Sequence, residues 1–251
     1  MPEPTTLLID ADILVHRAAA AAEVATEWEP DQWTITGDAR AAKQQVDSEV
    51  AELMDTLKAD ACILALSDRK ANFRKELCPT YKAKRGRKPV VFAEVREYVQ
   101  TVYKTMECPR LEADDVLGML ATGTKIKGTR IIVSTDKDLR SVPGWLYNPG
   151  RPDDGIQQIT ELDANHQHWM LTLCGDATDG YPGCPGIGPK RAARLLDEAP
   201  DGALYWDVVV AAFKKAGKTE EDALLQARLA RVLRAGEYVK ATGEVKLWKP
   251  S

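Results

Sequence analysis

Short apolar runs alternate with amphipathic stretches along the first 150 residues. Thr6-Leu7-Leu8-Ile9 is a strand-length run that ends in Asp10-Ala11-Asp12, and an Ala-rich helical stretch follows to about Glu23. Residues 39–58 carry apolar positions at helical spacing, and Ala61-Cys62-Ile63-Leu64-Ala65-Leu66 reads as a buried strand. A basic stretch follows, closed by Pro89; residues 90–104 return to a helical period, and another helix starts near Glu112. Arg130-Ile131-Ile132-Val133-Ser134 is a further buried strand and Trp145-Leu146-Tyr147-Asn148 a shorter one. Strands alternating with helices predict an α/β fold: a mostly parallel twisted sheet with helices on both faces. A Gly/Pro/Asp-rich link over residues 149–155 precedes a nearly all-helical remainder, which divides the chain into 1–155 and 156–251.

Composition narrows the class. A chain of 251 residues can bury a core without staples, and its apolar runs are far too short to span a bilayer. Met1-Pro2-Glu3-Pro4 lacks the basic region of a signal peptide. The five cysteines form no close pairs and only three histidines are present, which disfavours a disulfide framework or a zinc site and predicts a soluble protein of a reducing cytoplasm. The net charge of −4 counts against a nucleic-acid binder. That average hides a polarity. Residues 69–88 hold nine Lys/Arg against the single acid Glu76, either a solvated face or a phosphate-binding strip.

The acids cluster at four places where an open α/β sheet puts its ligands. These are Asp10, Glu112-Ala113-Asp114-Asp115, Asp136-Lys137-Asp138, and Gly175-Asp176-Ala177-Thr178-Asp179-Gly180. Singly, each has a plainer reading. Asp12 can cap the first helix, Glu112 and Asp115 can complement a helix dipole, and Asp176 and Asp179 can form turns. Together, carboxylates converging on one sheet edge repel unless hard cations neutralise them, and Mg²⁺ or Mn²⁺ is the natural guest. Two such ions about 4 Å apart can ionise a water and stabilise the leaving oxygen of an in-line displacement at phosphorus.

The second half adds Gly183-Cys184-Pro185-Gly186-Ile187-Gly188-Pro189-Lys190-Arg191-Ala192. A Gly-hydrophobic-Gly turn before a basic helix is the hairpin of a helix–hairpin–helix element, although a tight interhelical turn looks the same. Lys190, Arg191 and Arg194 favour sequence-independent contact with a phosphate backbone.

The ordered set Asp10, Asp68, Glu112-Ala113-Asp114-Asp115, Asp136-Lys137-Asp138, Asp176, Asp179, Gly186-Ile187-Gly188 resembles the structure-specific 5′-nuclease (flap endonuclease) family, in its phage 5′→3′ exonuclease branch. Phe73-Arg74-Lys75-Glu76-Leu77, Tyr81-Lys82, Glu237-Tyr238 and Leu247-Trp248-Lys249-Pro250 add to the resemblance. It implies a PIN-like nuclease domain over 1–155, with a basic arch at about 70–105, and a helix–hairpin–helix region over 156–251. Asp10, Asp68, Glu112, Asp114 and Asp136 would surround one metal ion; Asp115, Asp138, Asp176 and Asp179 would surround a second. Lys82, Arg85 and Arg74 would reach the scissile phosphate from the arch, Tyr81 would stack a base, and Gly186, Gly188, Lys190 and Arg191 would hold duplex DNA. Implied cofactors are two Mg²⁺ ions, for which Mn²⁺ can substitute, and a K⁺ at the hairpin.

The implied activity is hydrolysis of duplex, nicked or flapped DNA, and of RNA in RNA–DNA hybrids, near 5′ ends. The setting it implies is phage replication, primer removal or host-DNA degradation by a monomer in the bacterial cytoplasm, with replication proteins as partners and no membrane. Four other readings are open. One is a flap-specific endonuclease with little exonuclease activity. A haloacid-dehalogenase-like phosphohydrolase would use Asp10-Ala11-Asp12 but leave the basic strip and hairpin idle. The others are a non-catalytic helix–hairpin–helix DNA-binding protein and a PIN-type ribonuclease.

Overall fold

The computed structural model describes residues 3–199 and 204–250; Met1 and Pro2 of the N-terminal reading lie outside them. The chain runs β1 (Thr5–Asp10), α1 (Ala11–Ala21), β2 (Glu23–Glu29), β3 (Gln32–Gly37), α2 (Ala39–Thr56) and β4 (Ala61–Leu66). Then come α3 (Phe73–Leu77), α4 (Phe92–Val102), β5 (Thr105–Glu107), α5 (Ala113–Thr122), β6 (Thr129–Val133), β7 (Gly144–Tyr147) and β8 (Ile156–Ile159). The remainder holds α6 (Glu161–Cys174), α7 (Pro189–Asp197), α8 (Tyr205–Lys215), α9 (Glu220–Ala230), β9 (Tyr238–Val239) and β10 (Glu244–Val245).

Six strands form one sheet in the order β5-β4-β1-β6-β7-β8, parallel throughout except where β8 runs against β7. Alternation along the central strands explains the two-sided core. Leu7, Ile9, Leu64, Leu66, Ile131 and Val133 meet α1, α2 and α4 on one face. Leu8, Ile63, Ala65 and Ile132 meet α5 on the other. Strands buried on both faces must be apolar at every position, which is why they read as continuous runs.

Three parts of the sequence reading need correction. Residues 149–155 do not separate two halves: they turn β7 into β8, with Tyr147 paired to Ile156 and Trp145 to Gln158. The cap of α1 is Asp10, whose carboxylate accepts from the Ile13 amide at 3.2 Å, because β1 runs straight into the helix. Asp12 instead accepts from the Ser67 amide (3.2 Å) and from buried Arg96 (3.0 Å), tying α1 to β4 and α4. Finally, β2 and β3 form an exposed hairpin within a stretch where no element was expected.

A separate core joins the later helices around Trp169, Leu173, Ile187, Leu196, Trp206 and Phe213, with Trp248 packed against it. Residues beyond α9 return to the sheet, where Val232 and Leu233 join the α5 core. His168 sits in this region, 2% exposed, with Nε2 2.8 Å from the Ala227 carbonyl oxygen. Burial, then the charge of Arg231, pushes its imidazole down to about 3. The unfolded chain, with an ordinary histidine near 6.5, therefore binds the proton more readily than the fold does. Stability should fall as pH drops from 6.5 towards 3. Urea midpoints at pH 7 and pH 5 should separate more in the parent protein than in His168→Gln, whose amide can still donate to Ala227; equal separations would refute this.

Candidate active site

The carboxyl ends of β1, β4 and β6 lie side by side, and polar residues follow each because the apolar run must stop where the sheet meets water. Asp10 closes β1, and its second oxygen accepts from Ser134 Oγ at 2.9 Å. The same hydroxyl accepts from the Asp136 amide at 3.0 Å, so one serine after β6 spaces two carboxylates. Asp136 in turn caps a short 3₁₀ turn by accepting from the Asp138 amide (2.8 Å). On the opposite side Glu112 is the N-cap of α5, which places Asp114 in its first turn.

Asp176 and Asp179 come from the loop after α6. Gly175 and Gly183 allow it to cross itself: both have positive φ, and a side-chain carbon on either would lie 2.3 Å from the other's backbone neighbourhood. Asp176 accepts from the amides of Thr178 (2.8 Å) and Asp179 (3.2 Å), which closes the turn.

Mutual repulsion sorts these acids into two groups. Burial, then Asp10 and Asp136, drives Asp114 well up from the ordinary aspartate range. Burial, then Asp12, raises Asp10 to about 7. Burial, then Asp136, with smaller contributions from Asp176 and Asp179, raises Asp138 to about 7. Asp136 belongs to both groups, so Asp10, Asp114 and Asp136 shade into Asp138, Asp176 and Asp179.

Basic side chains crowd the rim. Lys82 has a left-handed backbone (φ 53°), an uncommon state for a residue with a side chain and one that clusters at functional sites. Its ammonium pairs with Glu112 and lies 3.3 Å from Asp179. Burial opposes the charge on Lys82, but Glu112 and Asp179 outweigh it and raise its pKa. Burial likewise works to raise Glu112, yet Lys82 and Arg74 hold it down at about 2. Arg85, largely exposed, reaches Asp179 at 3.2 Å, and Lys137 reaches Asp176 at 2.9 Å.

Among the described residues, no three His, Cys, Asp or Glu side chains are already gathered so as to hold a metal ion. Glu112, Asp179 and Asp176 are instead ion-paired with Lys82, Arg85 and Lys137. The residues nevertheless fit divalent cations. Every donor is a hard oxygen, the acids repel one another, and Asp138 Oδ1 is buried without a hydrogen-bond partner.

Other residues singled out from sequence take supporting positions. Arg74 does not face the cleft; it is 3% exposed, donating to Asp115 at 2.7 and 2.8 Å, to Glu112 at 3.0 Å, and to the carbonyls of Leu229 (2.9 Å) and Arg231 (2.6 Å). Asp115 is wholly buried, and besides Arg74 it accepts from the Leu233 amide at 3.1 Å, so its observed contacts tie it to the fold. Tyr81 cannot stack a base: its ring is buried beside Tyr181, and its hydroxyl donates towards Glu112 (2.9 Å) and Asp179 (3.0 Å). Asp68 spends both oxygens on the amides of Lys70 (2.8 Å) and Arg110 (2.7 Å). These bonds, overcoming burial, lower its pKa. Sequence reasoning missed Ser134, Lys137 and Arg96. Only the Asp-Lys-Asp spacing could have pointed to Lys137.

The turn before α7 faces outward. A side-chain carbon on Gly188 would meet nothing within 4 Å, and one on Gly186 only the Arg191 guanidinium at 3.9 Å. Gly188 is the N-cap of α7, with Pro189 in its first turn, and Lys190 is exposed. Arg191 folds back to donate to the Gly186 carbonyl (3.1 Å). Among the described residues no helix is long and apolar enough to cross a membrane.

A parallel sheet with an acidic cluster at its carboxyl edge, rimmed by lysine and arginine, defines a metal-dependent nuclease. The sequence model of the 5′-3′ exonuclease, N-terminal resolvase-like domain, matches residues 5–143, and the chain belongs to that family. It is 32% identical to an exodeoxyribonuclease of Enterobacteria phage T3, over 97% of this chain and 92% of the relative. It is 30% identical to a flap endonuclease Xni of Shewanella putrefaciens, over 76% of this chain and 73% of that one. Its fold matches a phage T5 flap endonuclease solved with DNA and metal ions: TM-score 0.60, 16% identity, 90% of this chain and 88% of the other.

Proposed function

We propose that this protein is a 5′→3′ exonuclease and structure-specific 5′ nuclease that hydrolyses phosphodiesters of duplex, nicked or flapped DNA, and of RNA in hybrids, near 5′ ends. The observation that carries the reading is the six-carboxylate sequence from Asp10 through Asp136 to Asp179, with its buried, partnerless oxygen on Asp138. Asp10, Asp114 and Asp136, with Glu112, would hold one divalent ion, and Asp138, Asp176 and Asp179 a second; Mg²⁺ is the natural occupant and Mn²⁺ a substitute. When bound, such ions supply Lewis acidity at the phosphate and ease ionisation of a water.

The chain's own residues do the rest. Lys82 and Arg85 stand beside the carboxylates, where phosphoryl oxygens gain charge during attack. Gly186 and Gly188 let a duplex backbone approach the N-terminus of α7, and Lys190 adds a phosphate contact. The protein would act as a monomer in the bacterial cytoplasm, in phage replication, primer removal or host-DNA breakdown. Digestion of end-labelled duplex, nicked, flapped and hybrid substrates tests the reading: 5′-phosphate products should appear with Mg²⁺ and vanish in chelator. Cleavage from 3′ ends, or cleavage indifferent to chelation, would overturn it.

The two basic regions should separate in kinetics. Lys82→Ala should slow single-turnover cleavage about a hundredfold or more while weakening DNA binding far less, because its contact strengthens in the transition state. Lys190→Ala should weaken binding about equally for all sequences and lower the salt slope by about one unit. Rates and binding constants at several salt concentrations check both; interchanged effects would refute the division of labour.

A further inference from the structure

A second concave site lies apart from the acids, at the other end of α5. It surrounds the C-terminal end of α5, whose first turn holds Asp114; ten residues of helix put the two sites roughly 15 Å apart. The cavity measures about 260 Å³, room for one large side chain. Met106, Cys108, Met119, Leu120, Ile126 and Tyr238 form its walls, drawn from β5, α5, the turn that follows and the returning tail. Lys125 and Lys240, both exposed, stand at its edge, and no aspartate or glutamate lines it. The pocket plays no part in the chemistry proposed above.

We propose that this pocket docks a partner protein through an acidic peptide segment carrying one large apolar anchor residue. The apolar walls call for a side chain, and two methionines let the walls adapt to its shape. The lysines call for negative charge around that anchor, in the arrangement of a buried hot spot with a charged rim. A nucleic acid would satisfy the lysines but offers no compact apolar group for the cavity. The pocket and the acidic cluster occupy opposite ends of α5, so a docked partner would leave the carboxylates themselves uncovered. The segment would tether the nuclease where its substrate is made.

The probe is a fluorescein-labelled peptide of four aspartates followed by a C-terminal phenylalanine, titrated with the full chain by fluorescence polarisation. One-to-one saturable binding is expected. It should weaken at least about tenfold when serine replaces the phenylalanine, and likewise in a Lys125→Glu/Lys240→Glu double variant. Ala235→Trp, which fills the pocket from the tail, should act similarly, and DNA cleavage by all these variants should match the parent. If Ala235→Trp fails to fold, the charge-reversal pair decides alone. The proposal is overturned if the peptide does not bind, if the serine peptide binds equally well, or if charge reversal leaves affinity unchanged. It is also overturned if an uncharged glycine peptide ending in phenylalanine binds as tightly. A concentration-dependent dimer in sedimentation, abolished by the double variant, would assign the pocket to a second copy and overturn it as well.

Discussion

Replacing Asp136 by Asn should lower the single-turnover cleavage rate by about a thousandfold or more, with no loss of thermal stability. The position is decisive because Asp136 alone repels members of both acidic groups, Asp114 on one side and Asp138 on the other. It therefore marks the point where two cation sites would meet. Asparagine keeps the oxygen that caps the 3₁₀ turn through the Asp138 amide, so the local backbone has no reason to change. Removing one charge also relieves the crowding that raises Asp10 and Asp138, and the melting temperature without divalent ions should hold or rise. Quench-flow rates and melting curves with and without Mg²⁺ check both halves. Near-normal Mg²⁺-dependent turnover would falsify the site assignment.

Arg74→Met should cost about 3–5 kcal/mol of folding stability, the scale set by breaking a buried ion pair from one side. The substitution fills much of the volume, but it leaves Asp115 buried without its cation and the carbonyls of Leu229 and Arg231 without their donors. Lysine should not rescue it, because one ammonium cannot reach two carboxylates and two carbonyls that a planar guanidinium spans. Adding Asp115→Leu to Arg74→Met should recover part of the loss, since the stranded charge is then gone. Urea unfolding of the three variants measures this. If Arg74→Met stayed within about 1 kcal/mol of the parent, Arg74 would not be the structural anchor its contacts make it.

How much of this was legible in the sequence depends on the range of the interaction involved. The strands that lead to Asp10 and Asp136 are visible because burial on both faces demands unbroken apolar runs, and the acid at or soon after the end of each run marks where the sheet ends. The fates of Arg74, Tyr81 and Asp115 were hidden because their partners lie far along the chain. Nothing near position 74 or 115 reveals that the Leu229 and Arg231 carbonyls and the Leu233 amide will come to meet them. A basic residue in a basic strip and an acid in an acidic triplet look like their neighbours until tertiary contacts select one for burial. The β2–β3 hairpin escaped for the opposite reason. Trp28 and Trp33 stay 72% and 56% exposed, so no buried face imposes a readable period. The short edge strands β5 and β8 hold too few residues to show one.

The guanidinium of Arg74 has a consequence for how the enzyme is made. Its last partner lies 157 positions further along the chain. At about 5–20 residues per second, a ribosome that has just added Arg74 needs roughly 8 to 30 s more to supply that partner. Until then Arg74 lacks its Leu229 and Arg231 partners, and the buried charge of Asp115 is held by an incompletely anchored guanidinium. A polypeptide released before residue 231 should therefore fold less stably around α5 than the full chain.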